Sequence, residues 1–267
     1  MRTFRAATLN IWNRFGPWDE RLRAIREGLR TVDPDVIGMQ EVLRTSDLDQ
    51  AAAVSEGLGY DVAWGVASEN HGFPVGNAIL SKWPILTHER IALPDGGSDE
   101  RRCLLYALID APFGKLPFFC THLNWKLHHG HVRQLQVKAI AQEIARLAPM
   151  VDGVFPPVLV GDLNAGPDAD EIRFLKGLTG LGGECVYFAD SFELAGDGSV
   201  GATFSKTNPF AEPLREPERR IDYVFVRGPD DAQRGEPTEA RVCFDRPYEG
   251  TFPSDHYGVV ATITAGR

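Results

Sequence analysis

The sequence predicts an α/β protein built on mixed or antiparallel sheets with helices on their outer faces. Two observations carry that expectation. Short apolar runs alternate with amphipathic stretches along the chain. Helices also do not fall between every pair of strands: the segments around 70–125 and 185–267 read as locally all-β with hairpin-type connections. A doubly wound parallel sheet would need a crossover after each strand, so it is disfavoured.

The elements follow in order. Strands are expected at Thr3–Ile11, Val36–Met39, Val62–Trp64, Asn77–Leu80, Leu104–Ile109, Pro117–His122, Val158–Val160, Ile221–Val226 and Gly258–Ile263, several of them rich in Val, Ile, Phe and Tyr. Pro17 opens a first helix with Leu22, Ile25 and Leu29 on one face. Ser46 is placed to cap a second that runs to the Gly57–Gly59 region. The longest helix carries Val137, Ile140, Ile144 and Leu147 and ends before Pro149. A fourth follows Pro167, with Ile172, Leu175 and Leu178. The Pro-rich, charged stretch 208–220 reads as a surface loop. There is no internal repeat and no domain boundary, so one domain over 1–267 is expected.

Composition removes several classes of function. No apolar run reaches membrane-spanning length, and Met1–Arg5 reads as the start of a strand and not as a leader. Cys103, Cys120, Cys185 and Cys243 lie far apart without a C-x-x-C pair, which argues against a disulfide framework or structural zinc and favours a reducing cytoplasm. The net charge of −9 opposes tight nonspecific binding to a polyanion. It leaves a phosphate substrate open, because a metal site needs acidic ligands and its ion changes the local field. Nothing implies a protein partner, and a monomer is expected.

The informative residues are the polar ones that end apolar runs. Asn10 closes the first strand and Gln40-Glu41 the second; Asn77 sits at the start of another; Thr121-His122 ends the next. Gly161-Asp162-Leu163-Asn164, Arg220-Ile221-Asp222-Tyr223 and Ser254-Asp255-His256 complete the set. Strand ends are where a rigid scaffold presents a site. Asp162 and Asn164 are two residues apart, so on extended backbone they face the same way. Glu41 and Asp255 offer hard oxygen ligands suited to magnesium or manganese more than to zinc. His122 and His256 supply imidazoles for acid–base work. Each residue alone has a plain structural reading: a turn Asn, a solvated loop acid, an Asx-turn at Asp162-x-Asn164, a satisfied core histidine or a helix cap. Asp222, inside an apolar run, demands a partner.

The series Asn10, Gln40-Glu41, Asn77, Thr121-His122-Leu123, Gly161-Asp162-Leu163-Asn164, Arg220-Ile221-Asp222-Tyr223-Val224-Phe225 and Ser254-Asp255-His256 resembles the endonuclease/exonuclease/phosphatase superfamily over residues 3 to 263. That resemblance implies a DNase I-like four-layer α/β sandwich, two packed mixed β-sheets flanked by helices, with the site at one edge. It implies Glu41 as the main metal ligand with Asn10 and Asp255, and magnesium or manganese as the ion. It implies Asp162 and Asn164 binding and orienting the scissile phosphate and water, and His256 paired with Asp222. Whether Asp162 or His256 takes the proton of the water stays open. His122 matches DNase-like and sphingomyelinase-like members, whereas abasic-site enzymes carry a tyrosine near there. The implied function is a phosphodiesterase or nuclease that uses an activated water, with a phosphodiester substrate such as nucleic acid. The alternatives are a phospholipid or phosphorylated small-molecule hydrolase, and a non-catalytic binding protein, which the full set of site residues disfavours.

Other signals weigh less. His128, His129 and His131 offer a second metal site or, more simply, the solvated start of the long helix. Asn124, Trp125, Arg133 and Gln134 are candidates for a substrate rim. Arg101-Arg102 begins a strand and reads as a phosphate contact or, more simply, an exposed strand-end pair; Trp64, Trp83 and Trp125 read as core or stacking residues, and Asp190 and Thr203 as residues that support the site.

Overall fold

Period-two alternation decides the layering. Along β1 (Arg2–Asn10), Phe4 and Ala6 enter one apolar cluster while Ala7 and Leu9 enter another. The same split recurs in β8 (Val158–Asp162), where Val158 and Val160 face the first cluster and Leu159 a third. These two strands therefore bury both faces, one against a second sheet and one against helices. The protein, a computed structural model, is described over residues 2–70, 72–151 and 154–266, so Met1 of the expected first strand lies outside the described residues.

Two six-stranded mixed sheets result. The first has the order β11 (Pro237–Cys243), β12 (Gly258–Gly266), β1, β2 (Val36–Leu43), β4 (Phe73–Ser81), β3 (Asp61–Asn70). The second has the order β5 (Ile85–Ala92), β6 (Cys103–Ala111), β7 (Gly114–His122), β8, β10 (Asp222–Val226), β9 (Ala189–Asp190). Each holds one parallel pair, β1 with β2 and β7 with β8. A parallel pair needs a crossover, and α1 (Trp18–Val32) and α3 (Gly130–Leu147) supply the two. Helix α1 covers the outer face of the first sheet; α3 and α4 (Asp170–Leu175) cover the second. The four layers match the DNase I-like architecture that the sequence resemblance implies. No helix among the described residues is long and apolar enough to cross a membrane.

Several boundaries differ from expectation. Asp49, not Ser46, caps the second helix, α2 (Gln50–Ser55), accepting from Ala52 N at 3.0 Å; the Ser46 hydroxyl is spent on Asp47. Helix α4 stops at Leu175, and Leu178 is exposed beyond it. The edge strands β5 and β11 escape sequence reading because charged residues interrupt them, as edge protection requires. A further short helix, α5 (Ser191–Ala195), starts at an Asp190 cap.

Candidate active site

The inner-face columns turn polar at one end. In β1 the column Phe4, Ala6, Thr8 ends on Asn10; in β7 the column Phe118, Cys120 ends on His122; in β8 Val158 and Val160 end on Asp162. Strand β10 runs the other way and begins at Asp222, followed inward by Val224 and Val226. Register then sets the neighbours: His122 pairs with Asp162, Asp162 with Asp222, and Asn10 with Gln40. The carboxyl ends of both parallel pairs thus meet at one edge of the sandwich. Close approach there requires glycine, since a Cβ on Gly161 would lie 2.1 Å from Thr121 O.

Asp162 sits at the centre and is almost fully buried. Its Oδ2 lies 3.4 Å from His122 Nε2, 3.7 Å from His256 Nε2 and accepts from Asn10 Nδ2 at 3.0 Å. Its Oδ1 accepts from Asn164 N at 2.9 Å, so the Asx-turn geometry and the site coexist. His256 Nδ1 lies 3.0 Å from Asp222 Oδ2, and both residues are buried. Burial alone would depress the His256 imidazolium, but Asp222, Asp162 and Asp255 outweigh it and hold it well above its ordinary range. Burial pushes the Asp162 carboxyl up, and Asp222 adds to this while His256 opposes it. His122 is held well below its ordinary range by burial, then by Arg102 and His256. Two histidines around one carboxylate are therefore pushed in opposite directions.

The other half of the site is built by distortion. The β2–β4 register slips between Met39 and Val42, and Glu41 occupies a left-handed backbone conformation at φ 59°. The bulge turns Glu41 toward the cleft that Asp255 also lines. Burial pushes the Asp255 carboxyl up to about 7; His256 opposes this and Glu41 reinforces it. Two acids that resist sharing charge in a cleft form a donor set that fits a hard divalent cation. Asn10 enters differently from expectation. Its Oδ1 accepts from Trp12 N at 2.9 Å, and its Nδ2 donates to Glu41 Oε1 at 3.2 Å as well as to Asp162. Asn10 therefore turns a donor, not an oxygen ligand, toward the carboxylates. Asp162, Asp222 and His256 also bring ligand atoms within 4.8 Å of one another; of these only His256 Nδ1 and Asp222 Oδ2 are hydrogen-bonded, at 3.0 Å, while Asp162 Oδ2 lies 3.7 Å from His256 Nε2. A cleft of about 630 Å³ opens above these groups.

The Endonuclease/Exonuclease/phosphatase family profile matches residues 7–256. The chain belongs to this family. Its members hydrolyse phosphoester bonds and are generally divalent-metal-dependent. Among curated relatives, the uncharacterized protein YbhP of Escherichia coli is 29% identical over 180 residues, 61% of this chain and 67% of that protein. An endonuclease/exonuclease/phosphatase from Beutenbergia cavernae superposes with a TM-score of 0.76 at 25% identity, covering 100% of this chain and 72% of that one. D. rerio TDP2, solved with a single strand DNA product, has the same fold, with a TM-score of 0.77 at 20% identity over 99% of this chain and 100% of that one.

Within this family fold, several polar residues prove to be scaffolding. Asn77 donates between the sheets to Cys103 O and Cys120 O. Arg133, expected at the rim, is buried against Glu171 at 2.6 Å and the carbonyls of Asn124 and Lys126. Asn124 is buried and bonds Ser98, and Gln134 is not part of the cleft lining, whereas Trp125 is exposed on it. Trp83 packs against Phe4 and Phe113, and Trp64 donates to Val42 O. His128, His129 and His131 lie at the start of α3 with rings edge to edge, and the three are not a ligand group among the described residues. Thr203 Oγ1 accepts from the backbone N–H of Ile221 and Asp222, and Asp190 pairs with Arg220 at 2.9 Å.

Two site-building residues escaped sequence reading. Arg21 is fully buried and donates to the carbonyls of Ile11, Trp12, Asn13, Phe15 and Pro253, tying the loop after β1 to the segment before Ser254. Its burial lowers it to about 10, against the pull of Asp255 and Glu41. The available signal was its place on the apolar face of α1, four residues before Ile25. Arg102 is mostly buried and reaches His122 Nδ1 at 3.2 Å, in contrast to the exposed strand-end pair expected.

Proposed function

We propose that this protein is a divalent-metal-dependent phosphodiesterase acting on single-stranded or terminal phosphodiesters of nucleic acid. The observation that carries the reading is the arrangement on Asp162 Oδ2, where His122 at 3.4 Å, His256 at 3.7 Å and Asn10 at 3.0 Å converge beneath an acid-lined cleft. Asp222 on Nδ1 favours a protonated His256, so in this reading Asp162 is the group that accepts the proton of the water. Water attacks phosphorus in line, its proton passes to Asp162, and the bond from phosphorus to the leaving oxygen breaks. His256, kept protonated by Asp222, donates to the phosphoryl group as charge builds. Asn164, fixed by its own N–H to Asp162, orients the phosphate. Glu41 and Asp255 hold the ion, and Asn10 keeps Glu41 and Asp162 apart with one amide. A bound magnesium or manganese ion supplies charge neutralisation on the phosphoryl oxygens.

The cleft lining supports the substrate class. Exposed Phe15 and Trp125, with Trp12, give aromatic faces on which unpaired bases stack. Of the three lining arginines, Arg102 is paired with Glu100 and Arg219 with Glu216, which leaves exposed Arg101 as the main cation for a phosphate backbone, few for a duplex. A single strand DNA product bound to the same fold makes DNA the first substrate to try. The test is a panel of single-stranded DNA, duplex DNA, RNA, sphingomyelin and inositol phosphates with magnesium. Single-stranded ends should turn over fastest, chelator should abolish the rate, and Asp162→Asn should lower it about 1,000-fold. Full activity in excess chelator would refute the metal. Turnover of a lipid or inositol phosphate alone would keep the chemistry and replace the substrate.

A further inference from the structure

We infer that Arg102 is a positioning residue that locks His122 as a neutral imidazole with its proton on Nε2, making His122 a fixed hydrogen-bond donor and not an acid–base group. The inference concerns the site read above as a phosphodiesterase centre, but its geometry is independent of substrate.

The argument is one of donors and acceptors. A guanidinium has five N–H donors and no acceptor, and stays charged in proteins. Arg102 Nη1 lies 3.2 Å from His122 Nδ1, so Nδ1 must be the acceptor and carry the lone pair. The ring proton is then on Nε2, which faces Asp162 Oδ2 at 3.4 Å, an acceptor. Both ends of the imidazole thus agree on one tautomer. Glu100 holds Arg102 from the other side at 3.5 Å, and Arg102 is only 13% exposed, so the contact is built in and does not sweep solvent. The charged groups facing His122 are Arg102 just before β6, Asp162 at the end of β8 and His256 before β12. Two of the three, Arg102 and His256, oppose a second proton, and burial opposes it further.

The contrast with His256 sharpens the assignment. There a carboxylate, Asp222, accepts from Nδ1 at 3.0 Å, so that nitrogen carries the hydrogen. A guanidinium in the same relation to His122 excludes one. One carboxylate, Asp162, is thereby flanked by two imidazoles held from behind by partners of opposite charge, Asp222 on His256 and Arg102 on His122.

Nitrogen-15 NMR of the histidine rings in the intact protein tests this directly, with His122→Asn used to identify the signals. The wild-type ring should show Nδ1 in the unprotonated range and Nε2 in the protonated range, without titrating between about pH 5 and 8. Arg102→Met should release the ring, so that it titrates or mixes tautomers, and should lower kcat about 100-fold with KM little changed. Arg102→Lys, which still donates, should recover the wild-type ring signals and part of the rate. An Nδ1–H tautomer in the wild type, or a ring that titrates in that range, would overturn the inference. So would an Arg102→Met ring indistinguishable from wild type. The NMR result holds or fails even if the phosphodiesterase reading is wrong.

Discussion

The two sheets build their halves of the site by different means. The second sheet uses register: His122, Asp162 and Asp222 stand side by side because three strands pair them in line. The first sheet uses distortion: a bulge and a left-handed Glu41 end β2, and left-handed Trp12 and Asn13 follow β1 under the buried Arg21. Regular strands fix the spacing of these groups through backbone pairing. Irregular backbone brings Glu41 to the cleft that Asp255 lines, where it raises the cost of ionising Asp255.

Substitutions should separate the halves. The largest effect is expected at Asp162: Asp162→Asn should lower kcat about 1,000-fold in steady-state kinetics, without changing how much metal is needed. Glu41→Gln comes next, with a loss of about 100-fold at limiting magnesium that higher magnesium partly recovers. A metal requirement shifted by Asp162→Asn and untouched by Glu41→Gln would erase the division.

A pH effect of intermediate size follows from Asp255. Its carboxyl is raised to about 7 in the folded chain. A raised folded value stabilises the protonated form, so without metal this contribution is full below about pH 4 and is lost as pH rises toward 7. His256, also raised, loses its contribution in a separate window above about pH 6.5, toward its higher folded value. Magnesium should therefore raise Tm more at neutral pH than in acid, and thermal melts with and without the ion check this. The smallest effect is expected at Thr203→Val, which leaves the N–H groups of Ile221 and Asp222 without their acceptor. It should cost about 1–3 kcal/mol of stability in denaturant melts, with a modest drop in kcat.

Much of this was legible in the sequence because apolar strands that stop at polar residues are a local pattern. Asn10, His122, Asp162 and Asp222 each end a column whose lower members are core, and period two is visible in the letters. What the letters do not carry is long-range partnership. Arg102 looks like a surface residue until β6 and β7 pair and bring His122 to it from 20 positions away. The bulge at Glu41 is a one-residue slip that no composition signals, and the orientation of the Asn10 amide depends on the backbone of Trp12. Arg21 was within reach, since a charge on the apolar face of α1 has to be paid for by buried acceptors.

The central claim, that the first sheet's end holds the metal and the second's handles the proton, is tested most directly by manganese titration calorimetry. Wild type, Glu41→Gln and Asp162→Asn would be titrated under one set of conditions. The predicted result is manganese binding retained in Asp162→Asn and weakened about 10- to 100-fold in Glu41→Gln. Equal binding by wild type and Glu41→Gln, or loss of binding in Asp162→Asn, would contradict the account.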